Sequence, residues 1–254
     1  MKVSIITAVL NSRDYIEDCL KTILNQTYPN IEHTIIDGGS TDGTLSIIEK
    51  FLNKKCRFVS ERDQGVYDAI NKGIKLSSGE IIGILNADDI YADKNVIKNV
   101  VKTIIENNVD SCYGDLVYVA RDNTNKVIRY WEAENFHKDK FKRGWMPPHP
   151  TFFVKKSIYE KYGMFNTAFP LAADYELMLR FLYKNEISST YIPRVLVKMR
   201  IGGISNPGLY TFKAILENYR AWKVNELSPN PITFFLKPFS KIFQFMLCNK
   251  NLPQ

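Results

Sequence analysis

The first hundred residues alternate between two hydrophobic periods, and this constrains the fold more than any other feature of the chain. Val3–Val9 is an apolar run of strand length, after which Ile16, Cys19, Leu20, Ile23 and Leu24 recur at helical spacing. Ser12 and Asp14 supply a helix start, and Tyr28-Pro29 lies beyond its end. A strand over 34–36, a helix carrying Leu45, Ile48 and Leu52, and a strand over 57–59 continue the pattern. A helix over Val66–Leu76, a strand over 81–85 and a helix carrying Ile97, Val100, Val101, Ile104 and Ile105 complete it. Alternation at these lengths predicts an α/β fold: a Rossmann-like, mainly parallel central sheet with helices on both faces. Ligands of such sheets sit beyond the carboxyl ends of the strands, so the polar residues there are read first.

From Ser111 to about residue 200 the pattern loosens into short strands over 116–120, Val127–Trp131, 151–154 and 191–196, with one clear helix over 175–183. No Gly/Ser/Pro-rich linker divides the chain, so residues 1–225 are expected to form one domain of two halves, 1–110 and 111–225. A basic amphipathic tail, 226–254, follows. Hydrophobic residues at 45% and charged residues at 24% exclude a disordered or collagen-like chain. The four cysteines are scattered without a Cys-x-x-Cys pair, which excludes a structural zinc site and predicts a reduced, cytoplasmic setting. The apolar start reaches only Leu10 and reads as a strand, not as a signal-peptide core. In the tail, Lys237, Pro238 and Lys241 interrupt the apolar residues, so no membrane-spanning segment is expected.

Net charge is +7 but unevenly spread. Residues 1–100 hold 12 Lys and Arg against 14 Asp and Glu, and the remainder 22 against 13. The basic half calls for an anionic partner such as a phosphate, a nucleic acid or a membrane surface. A nucleic-acid partner does not account for the carboxylates at the strand ends, and none is expected.

Those carboxylates fall in two runs. After the second strand comes Asp37-Gly38-Gly39-Ser40-Thr41-Asp42-Gly43-Thr44, whose glycines let backbone approach a ligand closely. Asp37, at the strand end, is read as a ligand-binding carboxylate, and Asp42 as a turn residue starting a helix. After the fourth strand comes Asn86-Ala87-Asp88-Asp89. Two adjacent carboxylates repel unless a cation or donors neutralise them, and hard oxygen ligands beside a phosphate suit Mn²⁺ or Mg²⁺. A dinucleotide-binding oxidoreductase would need a glycine-rich turn after the first strand, and residues 7–13 contain no glycine.

Taken in order, Asn11, the run 37–44, Gly65 to Gly73 with Asn71 between, Ser78-Gly79-Glu80 and Asn86-Ala87-Asp88-Asp89 resemble glycosyltransferase family 2. The resemblance covers about residues 1–205 and implies the GT-A fold and inverting transfer of a sugar from a nucleotide diphosphate. Within the family, residues 63–73 are similar to bacterial enzymes of capsule, exopolysaccharide and O-antigen assembly. By family frequency the donor is a UDP-sugar. The acceptor is expected to be a saccharide or lipid-linked saccharide. The resemblance assigns Thr7, Asn11, Asp37, Gly65 and Lys72 to the nucleoside in the first half of the domain. Asn86-Ala87-Asp88 stands where the family has Asp-x-Asp, making Asp88 the metal ligand. Asp89 is assigned to the acceptor side. Two departures are Gly38, where many relatives carry a second Asp, and Asn86 in place of an Asp.

In the second half, Asp174 takes the position of the family's catalytic base, although by the residue itself a plain helix cap ranks equal or higher. Ala173 replaces a Glu beside it. Glu176 and Arg180 are expected to face a neighbouring helix or solvent. Trp145 offers a stacking surface for an acceptor sugar, and His149 either touches the acceptor or is a satisfied structural histidine. Arg200 is read as offsetting phosphate charge. Lys and Arg at 138, 140, 142, 143, 155, 156 and 161 make 136–162 basic. In the tail, Phe235, Phe239, Ile242, Phe243, Met246 and Leu247 recur at helical spacing opposite Lys237 and Lys241. Such a helix either lies on a membrane, placing the protein peripherally on the inner face, or packs on the domain. The rival to an enzyme is a non-catalytic glycan- or membrane-binding protein retaining the fold, suggested by Gly38, Asn86 and Ala173.

Overall fold

The computed structural model describes residues 1–202 and 209–228, so most of the predicted tail lies outside the described residues. The chain alternates as predicted through β1 (Val3–Val9), α1 (Ile16–Leu24), β2 (Ile31–Asp37), α2 (Thr44–Phe51), β3 (Cys56–Ser60), α3 (Val66–Leu76) and β4 (Ile81–Ile84). There follow β5 (Ile90–Tyr91), α4 (Val96–Glu106), β6 (Ser111–Val119), β7 (Val127–Trp131), α5 (Lys138–Lys142), β8 (Phe153–Lys155) and α6 (Lys156–Tyr162). The last elements are α7 (Ala173–Met178), β9 (Ser189–Arg200) and α8 (Leu209–Val224).

The strands form one mixed sheet in the order β3-β2-β1-β4-β8-β6-β9-β5, with β7 paired to β6. β3, β2, β1 and β4 are parallel, and β6 and β9 run in that same direction. β8 enters between β4 and β6 as an antiparallel strand, joining the two halves of the chain through one continuous hydrogen-bonded ladder.

Strand pleat sorts the core into two layers. Val3, Ile5 and Val9 of β1 pack with Ile16, Cys19, Leu20 and Ile23 of α1, Ile48 of α2 and the buried face of α4. Ile6 points the other way, toward Ile70 and Ile74 of α3 and the aromatic and aliphatic residues of α6, α7 and α8. Gly73 brings α3 close to β1, since a Cβ there would overlap the Ile6 side chain. Gly79 is needed for a similar reason, because its Cβ would stand 2.7 Å from the Ser4 backbone nitrogen. The Ser78-Gly79 segment therefore lies against the amino end of β1. There Glu32 accepts hydrogen bonds from Ser4, Ser78 and Gly79 and pairs with Lys2.

The helix expected over 175–183 begins earlier, at Ala173, and widens into a π-helical turn over Leu179–Lys184. Glu176 is buried and forms a two-pronged pair with Arg180, at 2.9 and 2.8 Å. Arg180 also donates to the carbonyls of Tyr162, Gly163 and Met164, which ties α7 to the end of α6. α8 closes the other side: Trp222 is fully buried and donates its indole N–H to the Tyr175 hydroxyl at 2.8 Å.

Candidate active site

The carboxyl ends of β1, β2 and β3 are knitted into a rim. Asp37 is fully buried, and one carboxylate oxygen accepts from the amides of Gly39 (2.9 Å) and Ser40 (3.0 Å) and from the Ser60 hydroxyl (2.7 Å). The other accepts from the Ser40 hydroxyl. The charge that needed a partner is thus met by the loop it shapes. Asn11, in a left-handed conformation (φ 49°), accepts from the Thr41 amide at 2.9 Å, and its own amide donates to Ser40 Oγ at 2.8 Å. Asp42 accepts from the amide and hydroxyl of Thr44 and the amide of Arg13, holding the start of α2 against the start of α1.

Gly38 leaves a gap beside this rim, and Asp63 fills part of it. A Cβ at position 38 would lie 3.1 Å from Asp63 Oδ2 and 3.5 Å from Leu10. Lys72 pairs with Asp63 (2.6 Å), Glu61 (2.9 Å) and Asp68 (3.4 Å), and the hydrogen bonds to Asp63 and Glu61 raise its pKa. Gly65 opens α3 with φ 117° and open space around it. Thr7 is not brought to the rim: its side chain is buried one layer below and shares a 2.9 Å hydrogen bond with His33, whose pKa burial lowers to about 3.

The segment after β4 carries the second group. Asn86 donates its side-chain amide to Asp89 Oδ2 at 2.8 Å, while among the described residues the buried Asp89 Oδ1 has no hydrogen-bond partner. Burial, and next the charge of Asp88, push the Asp89 carboxyl up to about 8. The Asp88 carboxylate is half-buried, and no other described residue donates a hydrogen bond to it. Arg200 does not project into open space. Its guanidinium is buried and donates to the Asp88 carbonyl (2.7 Å) and to Asp18 (2.5 Å), clamping the loop to α1.

Among the described residues no three acidic, His or Cys side chains gather into a metal cage. Among the described residues the Asp88 carboxylate accepts no hydrogen bond, and beside the buried Asp89 Oδ1 it is nevertheless a fitting donor set for a hard cation. Such ions are commonly held by one or two carboxylates, with substrate phosphates and water supplying the rest.

On the other side of the opening, Asp174 is half-buried at the start of α7. Its Oδ1 accepts from the Tyr175 amide at 2.8 Å and from the Tyr67 hydroxyl at 3.4 Å. His149 lies edge-on to Phe165 at 5.4 Å, and burial lowers its pKa against the opposing charge of Asp174. Trp145 packs among Tyr113, Phe136 and Phe141 with Lys140 over its ring. Its indole N–H is buried and has no hydrogen-bond partner among the described residues. Tyr118 connects the two sides: burial raises its pKa, Arg129 opposes the rise, and the charges of Asp89 and Asp174 both add to it. Asp89 and Asp174 thus both lie within electrostatic reach of Tyr118.

Sequence reasoning missed Asp63, Tyr67 and Glu217. Glu217 of α8 accepts from the amides of Leu171 and Ala172, both at 2.9 Å, and so caps the segment leading into Asp174. Only the i, i+4 spacing of Tyr67 and Asn71, off the buried stripe of α3, could have signalled a second use for that helix.

A parallel sheet with carboxylates at its strand ends and an appended antiparallel portion defines the GT-A class, and the solved structures agree. S. aureus TarS 1–349 matches with a TM-score of 0.70 at 19% identity, over 98% of this chain and 74% of that one. A structure of TarS 1–349 in complex with UDP-GlcNAc gives 0.68 at 18% identity, over 99% and 77% of the two chains. The mannosyltransferase PcManGT from Pyrobaculum calidifontis, in complex with GDP-Man and Mn²⁺, gives 0.64 at 17% identity, over 94% and 69%. A longer TarS structure is spanned over 39% of its length. In sequence, the glycosyl transferase family 2 model matches residues 4–163. A PGL/p-HBAD biosynthesis glycosyltransferase of Mycobacterium bovis is 31% identical over 208 residues, 80% of this chain and 78% of its own. The chain belongs to glycosyltransferase family 2 and is a sugar-transferring enzyme of glycan biosynthesis.

Among the described residues no helix is long and apolar enough to cross a membrane.

Proposed function

We propose that the protein transfers a sugar from a UDP-sugar to a saccharide or lipid-linked saccharide, with inversion, in bacterial surface-polysaccharide assembly. The observation that supports the reading is a half-buried carboxylate after β4, Asp88, and a second at the start of α7, Asp174, with Asp174 and the Asp89 next to Asp88 both in electrostatic reach of Tyr118. The half built from residues 1–110 binds the donor. Asn11, Asp37, Gly65 and Lys72 shape the nucleoside site, with Thr7 supporting it from below, and Asn86 and Asp88 take the ribose and diphosphate. A bound Mn²⁺ or Mg²⁺ on Asp88 supplies electrostatic stabilisation of the leaving diphosphate.

The half built from residues 111–225 binds the acceptor, with His149 and Trp145 on its wall and Asp89 supporting from beneath the opening. Asp174 accepts the proton of the attacking hydroxyl as the acceptor oxygen bonds the anomeric carbon. The bond from that carbon to the diphosphate breaks in the same displacement, and its electron pair leaves on the diphosphate. The tail beyond residue 228 is proposed to hold the enzyme at a membrane surface near a lipid-linked acceptor.

Titration calorimetry with UDP, GDP and ADP, each with and without Mn²⁺, tests the donor site. The expected outcome is UDP binding that requires Mn²⁺ and is lost in Asp88→Asn. An equal Mn²⁺-dependent preference for GDP would change the donor. No binding of any nucleotide by the folded protein would favour the non-catalytic reading.

A further inference from the structure

Resting on the reading of Asp174 as the base, we infer that Tyr67 is its positioning residue: the Tyr67 hydroxyl engages Asp174 Oδ1 and leaves Oδ2 to take the acceptor proton. Tyr67 lies in the same helix that contributes Lys72 to the donor side, but on a different face. Ile70 and Ile74 turn to the sheet, and Asp68 and Lys72 pair on the outside. Tyr67 and Asn71, four residues apart, turn to the acceptor half.

Two contacts fix the Tyr67 ring before its hydroxyl is considered. The Asn71 side chain brackets the Phe165 backbone, donating to its carbonyl at 2.8 Å and accepting from its amide at 2.9 Å. The Phe165 ring stacks on Tyr67 with centroids 5.5 Å apart and planes 18° from parallel. The hydroxyl then stands 3.4 Å from Asp174 Oδ1, the same oxygen that accepts the Tyr175 amide. Among the described residues Oδ2 accepts no hydrogen bond, so one carboxylate oxygen is occupied and the other is open. A 3.4 Å contact is long, as catalytic hydrogen bonds often are before substrate tightens the site.

Tyr67 keeps its hydroxyl proton to donate, because burial and the charge of Asp174 raise its own pKa well above the usual range. A donor to the ionised carboxylate favours the form in which a base must begin. The titratable neighbours of this pair are His149 before β8, Tyr118 of β6 and Glu217 of α8. His149 is kept neutral by burial and supplies no competing cation.

Tyr67→Phe keeps the stacked ring and removes only the hydroxyl. In the full chain, the ¹³C carboxyl resonance of Asp174, assigned by its loss in Asp174→Asn, is expected to titrate at higher pH in Tyr67→Phe than in the wild type. With a UDP-sugar that the wild-type enzyme turns over, kcat is expected to fall about tenfold, with the donor KM unchanged and the acid limb of the kcat profile moved upward. Superimposable titration curves in a folded Tyr67→Phe overturn the inference, as does a lower kcat whose acid limb does not move. If Tyr67→Phe does not fold, Phe165→Leu carries the test by loosening the ring while keeping the hydroxyl. A smaller upward shift supports the role, and none overturns it. The base assignment fails separately: Asp174→Asn transferring at the wild-type rate removes it. An inactive Asp174→Asn with an unmoved titration in Tyr67→Phe removes only the role of Tyr67.

Discussion

The two sides of the opening are held by different kinds of contact. On the donor side each carboxylate bonds first within its own loop, Asp37 to Gly39 and Ser40, Asp42 to Thr44, and Asn86 to Asp89, and Asn11, Arg13, Ser60 and Arg200 reach in from farther along the chain. Around Asp174 the main bonds are long in sequence. Tyr67 reaches it across 107 positions, Asn71 reaches Phe165 across 94, and Glu217 caps Leu171 and Ala172 across 46 and 45. Short-range bonds cost little chain entropy to close and form wherever the local sequence allows them. Long-range ones exist only when the whole domain is assembled. The donor side should therefore tolerate distant substitutions that impair the acceptor side, and each expected outcome below is a way to break that contrast.

The largest effect belongs to Asp174→Asn. Turnover should fall by about 10²–10⁴-fold, as for loss of a general base, with the UDP dissociation constant unchanged. Single-turnover UDP release and calorimetry read the two quantities. A weakened UDP affinity would show that the two sides are not separable.

Next comes Asp88→Asn. Mn²⁺-dependent UDP binding should weaken about 100-fold, while the melting temperature without ligands stays put, because no described residue depends on that carboxylate for a hydrogen bond. A large drop in ligand-free stability would show that Asp88 is structural.

Glu217→Ala probes long-range support directly. Removing the acceptor of one buried and one part-buried amide should cost about 2 kcal/mol in a denaturant titration and lower kcat, with donor affinity preserved. A change in donor affinity alone would reverse the assignment of sides.

The smallest effect at neutral pH is at Glu32, on the opposite edge of the donor half. Burial alone would raise its pKa, but Lys2, Ser4 and Ser78 outweigh burial and lower it from 4.5 to about 2. The stabilisation is thus complete above pH 4.5 and is lost as pH falls through about 2. Glu32→Gln should cost about 1 kcal/mol at pH 7, and the difference from wild type should vanish at the acid end. UDP binding at pH 7 should not change, and a loss there would link this edge to the rim.

Legibility followed the same division. The limits of β1, α3 and β7 were readable because pleat and helical period repeat inside each segment. β5 was not, since Ile90 and Tyr91 become a strand only by pairing with Lys198 and Val197 of β9. β9 runs from Ser189 to Arg200, beyond the expected 191–196, because β6 supplies a parallel partner even for its polar end. The run 136–162 is basic in sequence, yet Lys138, Lys140 and Lys142 pair with Glu186, Glu134 and Asp139. Arg200 looked available for phosphate and is instead buried as a clamp.

By itself, then, the sequence determined the alternating parallel half, the order of the strand-end motifs and the family they belong to. Those features depend on residues a few positions apart, where spacing and side-chain chemistry suffice. Only the tertiary structure decided that Asp37 spends its charge on its own loop, that Thr7 lies below the rim, and that α3 and α8 converge on Asp174. Those outcomes depend on which distant surfaces must share a core once β8 joins the two halves, and no local pattern encodes that choice.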